Sequence, residues 1–189
     1  MADNRQKLTD IAQSNVQKSG LKGLSFRTLA DEVGIKSSSV HYHFPEKADL
    51  AQALIEQYSD TFATRLDSIS AAGGSLMRKL SRFMDVIEAV AASDSVCLCG
   101  MLAAELESLS PENRQALQRF FTDMEDWLTR EITAHRADLG TAIEPHQLAK
   151  VMVSGVEGAL LVSRVHGNTE HLTAQRTVFA SLLGPEDRA

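Results

Sequence analysis

Apolar side chains recur along this chain at intervals of three and four, and no stretch alternates apolar with polar residues long enough to make a convincing strand. Leu8, Ile11, Ala12 and Val16 form one stripe and predict a first helix ending at Gly20. A second, short helix starts at Ser25, whose side-chain oxygen can cap free backbone N–H groups. It carries Leu29, Ala30 and Val33 on one face and ends at Gly34, where a left-handed cap suits glycine. After Ile35 and Lys36 a third helix spans Ser37 to Phe44, and Pro45 closes it because the residue before a proline is pushed away from helical angles. Phe26, Leu29, Val33, Val40, Phe44 and Leu50, with the stripe of the first helix, are the expected core of this N-terminal part.

The same period continues to the end of the chain. A long helix runs from Lys47 to about Ser70 and is broken by Gly73 and Gly74. Leu76, Leu80, Phe83, Met84, Ile87 and Val90 mark the next helix, and after a break at Ser93-Asp94-Ser95 a shorter segment covers Cys97 to Leu109. Ser110 and Pro111, a cap followed by a first-turn proline, open a helix through Leu117, Phe120, Phe121, Met124, Leu128 and Ile132. Gly140 to Pro145 is a loop, and two more helices cover about His146 to His166 and about Leu172 to Leu183. The expectation is an all-α chain of about nine helices, with three at 1–50 and a six-helix bundle at 51–189.

The helix from His146 to His166 departs from simple amphipathicity. Lys150, Glu157 and Arg164 are seven apart and line one narrow polar stripe, while Leu148, Val151, Met152, Val156, Leu160, Val162 and Val165 cover much of the rest. A helix apolar nearly all round is buried on several sides. Gly155, Gly158 and Ala159 would also let another backbone approach closely. Either it is the central helix of a monomeric core, or its outer face pairs with a second copy.

Two short helices joined by a tight glycine turn, the second bearing a row of hydroxyls and then rings, make a helix-turn-helix signature, whose second helix enters the DNA major groove. The stretch resembles the DNA-binding domain of the TetR family of bacterial transcriptional regulators. The match lies in Leu29-Ala30, Gly34-Ile35, Ser37-Ser38-Ser39, His41-Tyr42-His43-Phe44 and Lys47, and in detail covers roughly residues 5 to 55. His41 departs from the pattern, standing where the family most often has tyrosine. The resemblance implies that Arg27, Lys36, Ser37, Ser38, Ser39, Tyr42, His43 and Lys47 contact double-stranded operator DNA. Tyr42, His43 and Lys47 would hold phosphates, Arg27 would read a guanine edge, and Val40 and Phe44 would face the core. It also implies a homodimer, here through residues 146–183, and release from the operator by a small-molecule effector. Phe83, Met84, Met101, Glu105, Phe121 and Trp127 are candidates for the effector pocket, between the helices at 76–92, 97–109 and 111–135.

Charge alters this picture little. The chain carries a net −6, but residues 1–50 hold seven basic and six acidic side chains, so the acidic excess lies outside the reader. A domain near +1 implies modest non-specific affinity for phosphates. Hydrophobic content of 43% with 23% charged residues is that of an ordinary globular chain. No apolar run approaches the ~20 residues that span a bilayer, and the start MADNRQKLTD lacks a secretory apolar core. The expected setting is cytoplasmic, without membrane partners.

Other chemistry finds little footing. His41 and His43 are two apart on a helix and point in divergent directions, which argues against a shared metal. Cys97 and Cys99 lack metal-finger spacing, leaving buried small hydrophobes or a reactive sensor thiol as readings. Glu105 and Glu107 cannot share a helix face, and the nucleophile, phosphate-loop and zinc-protease motifs are absent. Neither an enzyme nor a cofactor is expected. The alternatives to an effector-released repressor are a helical interaction or sensor protein that has lost DNA binding, and an electrophile sensor using Cys97 or Cys99.

Overall fold

Chain punctuation sets the helices. In the computed structural model, which describes residues 2–93, 95–140 and 142–182, the described residues form nine α-helices and no strand. They are α1 (Ala2–Ser19), α2 (Phe26–Val33), α3 (Ser37–His43), α4 (Lys47–Ala71), α5 (Leu76–Ala91), α6 (Leu98–Ala103), α7 (Pro111–Ala134), α8 (Pro145–His166) and α9 (Glu170–Ser181), with 3₁₀ turns at Leu106–Ser108 and Arg136–Asp138. The segment expected as one piece from Cys97 to Leu109 is split. Its break lies at Glu105, with φ −111° and ψ 25°, where the carboxylate is drawn off to the Lys22 N–H at 3.0 Å. The last helix begins two residues earlier than its apolar pattern indicated, and Leu183 lies outside the described residues.

The chain packs as two units, Met1–Asp60 with Ser95–Phe120 and Thr61–Asp94 with Phe121–Ala189, so α4 and α7 contribute residues to both. In the first unit the α1 stripe of Leu8, Ala12 and Val16 is fully buried, together with Leu29, Val40, Leu50 and Leu54. Val33, assigned to this core by its spacing, is only half-buried at the end of α2. α1 also packs on α6, and the buried Gln17 side chain donates to the Val96 carbonyl at 2.9 Å. Ser110 caps α7 by accepting the Asn113 N–H at 3.2 Å. The Asn113 amide in turn donates to the Ala48 carbonyl at 3.2 Å and to Gln52 at 2.9 Å.

The second unit is built on α5, whose Leu76, Leu80, Phe83, Met84 and Ile87 are buried on a face that packs with α8 and α9. Phe83 stacks on Trp127 with ring centroids 5.9 Å apart. The Trp127 N–H donates to Ser70 Oγ at 2.9 Å, Ser70 donates to Glu131, and Glu131 pairs with Lys79 Nζ at 2.6 Å. Both partners of this ion pair are 10% exposed, so neither charge can lose the other cheaply. Burial pushes the Glu131 carboxyl up, but the hydrogen bonds from Lys79 and Ser70 and the Lys79 charge outweigh it and hold the group below the usual carboxylate value. Gly155 is where α8 meets α9: a Cβ there would stand 2.9 Å from Gln175 Oε1.

Candidate nucleic-acid interface

The α2–α3 pair is assembled by its ends. Ser25 Oγ accepts the Thr28 N–H at 3.5 Å at the start of α2. At the other end Gly34 sits at φ 77° and ψ 33°, and the Ile35 N–H reaches back to the Ala30 carbonyl at 2.9 Å. That six-to-one bond is a Schellman closure, which needs a residue in the left-handed region and turns the chain sharply into α3. α3 has no side-chain cap, and its one buried residue is Val40. Phe44, at its C-cap, is also buried, and Arg5 of α1 lies over the Phe44 ring at 5.1 Å. Two apolar anchors therefore fix the helix, and its other face is open.

The side chains singled out as DNA contacts lie on that open face or flank it. Arg27, Lys36, Ser37, Ser38 and Lys47 are exposed, and Ser39 and His43 are half-exposed. Tyr42 is 74% exposed, an unusual position for a large ring, and it meets the His43 ring edge-on at 5.3 Å. Lys47 opens α4, whose start is fixed by Asp49 Oδ2 accepting the Glu46 N–H at 2.9 Å. The hydroxyl row, an amphipathic ring and two flanking cations can serve phosphate oxygens and base edges. His41 behaves differently from its neighbours. Its ring packs edge-on against Phe26 at 5.0 Å, and its Nδ1 lies 3.3 Å from the Pro45 carbonyl. At the position that departs from the family pattern, the ring braces α2 against α3.

The six pocket candidates are distributed over both units. Phe83 and Trp127 are buried against each other, and Met84 is buried beside them in sequence. Phe121 is half-buried in the same unit. Met101 and Glu105 belong to the first unit, where the Glu105 carboxylate is committed to the Lys22 N–H. A cleft of about 870 Å³ opens between α5 and α9, and of the six only Met84 lines it. Sequence reasoning overlooked the rest of its wall, which includes Arg78, Arg82 and Arg176. The i,i+4 spacing of Arg78 and Arg82 was the available signal.

A further feature is apolar and uncovered. Val151, Leu161, Val162 and Val165 of α8 are 63%, 48%, 40% and 86% exposed, and Val178 of α9 is 51% exposed. Gly158 lies on this side of α8 with open space beyond it, whereas Gly155 faces Gln175 and Ala159 is buried. Among the described residues no helix is long and apolar enough to cross a membrane.

Comparison with known proteins places both halves of the chain. Residues 14–54 match the family described as bacterial regulatory proteins, tetR family. Residues 77–177 match the transcriptional regulator LmrA/YxaF-like, C-terminal domain. An uncharacterised HTH-type transcriptional regulator in the lacX 3' region of Lactococcus lactis is 22% identical, over 87% of this chain and 85% of that one. The crystal structure of a TetR transcriptional regulator from Legionella pneumophila superposes with a TM-score of 0.86 at 29% identity, covering 94% of this chain and 96% of that one. A TetR-family regulator from Agrobacterium tumefaciens shares the fold at TM-score 0.92 and 22% identity, covering 97% and 99%.

Proposed function

The chain belongs to the TetR family and is a DNA-binding transcriptional regulator, and from that premise we propose that it is a repressor released from its operator by a small-molecule effector. Residues 1–50 read the DNA, and residues 51–189 take the effector and hold the dimer. The packing units do not follow this division of labour, since 95–120 packs with the N-terminal helices. The observation that carries the reading is the contrast within α3: Val40 and Phe44 buried, Ser37, Ser38 and Tyr42 in the open. A helix that exposes a large ring and two hydroxyls while anchoring only two residues is built to present them.

In this reading Arg27 reads a base edge, Lys36 to Ser39 approach the groove, and Tyr42, His43 and Lys47 hold phosphates. The uncovered faces of α8 and α9 pair with a second copy through residues 146–183. A homodimer then sets two reading helices on successive major-groove faces, about 34–36 Å apart. An effector that prefers a different separation of those helices weakens the operator by linkage. The protein works in the cytoplasm, where operator and effector meet.

Selection from a random DNA pool tests this directly. The expected product is an inverted repeat with half-sites one helical turn apart. A pool that shows no enrichment identifies the chain as a helical interaction protein instead. The thiol reading gains nothing from the geometry, because Cys97 and Cys99 are 4% and 0% exposed and reactive thiols need access. Replacing both with serine leaves operator binding and release in place.

A further inference from the structure

The cleft between α5 and α9 has a chemistry of its own. Arg78 and Arg82 stand one turn apart on α5, and Arg176 faces them from α9. Arg176 is spent. Its guanidinium binds Asp85 at 2.7 Å, Glu88 at 3.0 Å and the Ser81 hydroxyl at 2.8 Å, tying α9 to α5. Arg78 and Arg82 are not: among the described residues neither has a carboxylate partner. Arg82 Nη1 is withdrawn from solvent and has no hydrogen-bond acceptor. An unsatisfied buried donor on a cation is costly, and a second cation one turn away adds repulsion. The remaining wall, Met77, Leu80, Met84 and Phe179, is apolar. At about 870 Å³ the cleft is within the size range of small-molecule sites.

We propose that this cleft binds an amphipathic organic anion, with a carboxylate or similar oxyanion held by Arg78 and Arg82 and an apolar body against Met77, Leu80, Met84 and Phe179. Arg82 supplies the buried N–H donor and Arg78 the second charge, an arrangement that discriminates an anion from an alcohol of the same shape. The effector role of that ligand rests on the reading given above; the site itself does not.

Octanoate, 1-octanol and acetate are suitable probes for the full-length protein. Titration calorimetry reads the occupancy of the cleft, since neither Trp127 nor its stacking partner Phe83 lines it. Octanoate binds saturably, octanol binds about tenfold or more weaker, and acetate does not bind. Arg82→Gln and the double variant Arg78→Gln/Arg82→Gln lose about tenfold or more for octanoate and nothing for octanol, while Arg82→Lys keeps part of the preference. Equal affinity for octanoate and octanol overturns the proposal, as does a double variant that binds octanoate like the parent, or a parent that does not bind it. Anisotropy of a labelled operator separates the two readings. Saturable octanoate binding without operator release upholds the site and overturns only its role as the effector site.

Discussion

Glu105 reaches over Gly20 to hold the turn between α1 and α2. Its Oε2 accepts the Lys22 N–H at 3.0 Å, and a Cβ on residue 20 would collide with its Oε1. Gly20 also sits at φ 78°, where an L side chain is strained. Gly20→Ala therefore combines about 1–2 kcal/mol of backbone strain with the loss of this contact. Glu105→Gln keeps an acceptor and should cost less than Gly20→Ala. The double variant Gly20→Ala/Glu105→Ala should be more stable than the sum of its single changes, because removing the carboxylate relieves the collision. Urea denaturation of these three variants and of the single Glu105→Ala closes the cycle; strict additivity would show that the two residues do not meet.

On the proposed reading, Lys47 and Arg27 make two different kinds of DNA contact. Both are exposed, so neither substitution should alter folding. Lys47→Ala should weaken every operator variant alike and lower the salt slope by about one unit. Arg27→Ala should cost about 1–3 kcal/mol on the best site and relax the preference at one base pair. Binding isotherms over a salt series and a panel of single-base operators read both effects. Uniform weakening by Arg27→Ala would make it a phosphate anchor and leave base reading to Lys36, Ser37, Ser38 and Ser39.

Gly158 tests the pairing surface. The space beyond it is open within one chain, so Gly158→Arg should leave far-ultraviolet dichroism helical while abolishing the dimer. Sedimentation velocity at micromolar concentration is the measurement. A variant that sediments as the parent does would move the interface off this face of α8.

The Lys79–Glu131 pair predicts a pH dependence with a definite sign. Glu131 is held below the usual carboxylate value in the folded state, so it adds stability above the unfolded pKa and loses it as pH falls through the folded one. Lys79→Met strands Glu131 and should cost about 3–5 kcal/mol at neutral pH. That cost should shrink on acidification, as the stranded carboxyl takes up a proton. Denaturation curves at pH 7 and pH 4 for parent and variant give the comparison, and a cost that grows in acid would contradict the pairing.

Periodicity made the helices legible because each buries a stripe, and Ser25, Gly34, Pro45 and Pro111 mark their ends by local chemistry alone. The anchors of α3 were equally readable: Val40 and Phe44 are four apart and apolar amid polar neighbours. What spacing could not show was which apolar surface remains uncovered. Val151 and Val165 look like Val156 in the sequence, yet Val156 is fully buried; only the placement of α5 and α9 distinguishes them. The role of Glu105 was hidden for a similar reason. Its partner is a backbone N–H 83 residues away, and no side-chain pattern announces a backbone acceptor. His41, a departure by pattern, proved to be a brace through a partner, Phe26, that lies on another helix.

Because the core fasteners of α3 are Val40 and Phe44, and the His41 brace against Phe26 lies outside the proposed reading set, its contribution to stability and its proposed message to DNA are written in different letters. Changes at residues 37, 38, 39 and 42 leave both fasteners in place. On the proposed assignment of those residues, a lineage carrying this fold can drift from one operator to another by single substitutions without passing through an unfolded ancestor. The regulatory wiring can change while the scaffold stands still.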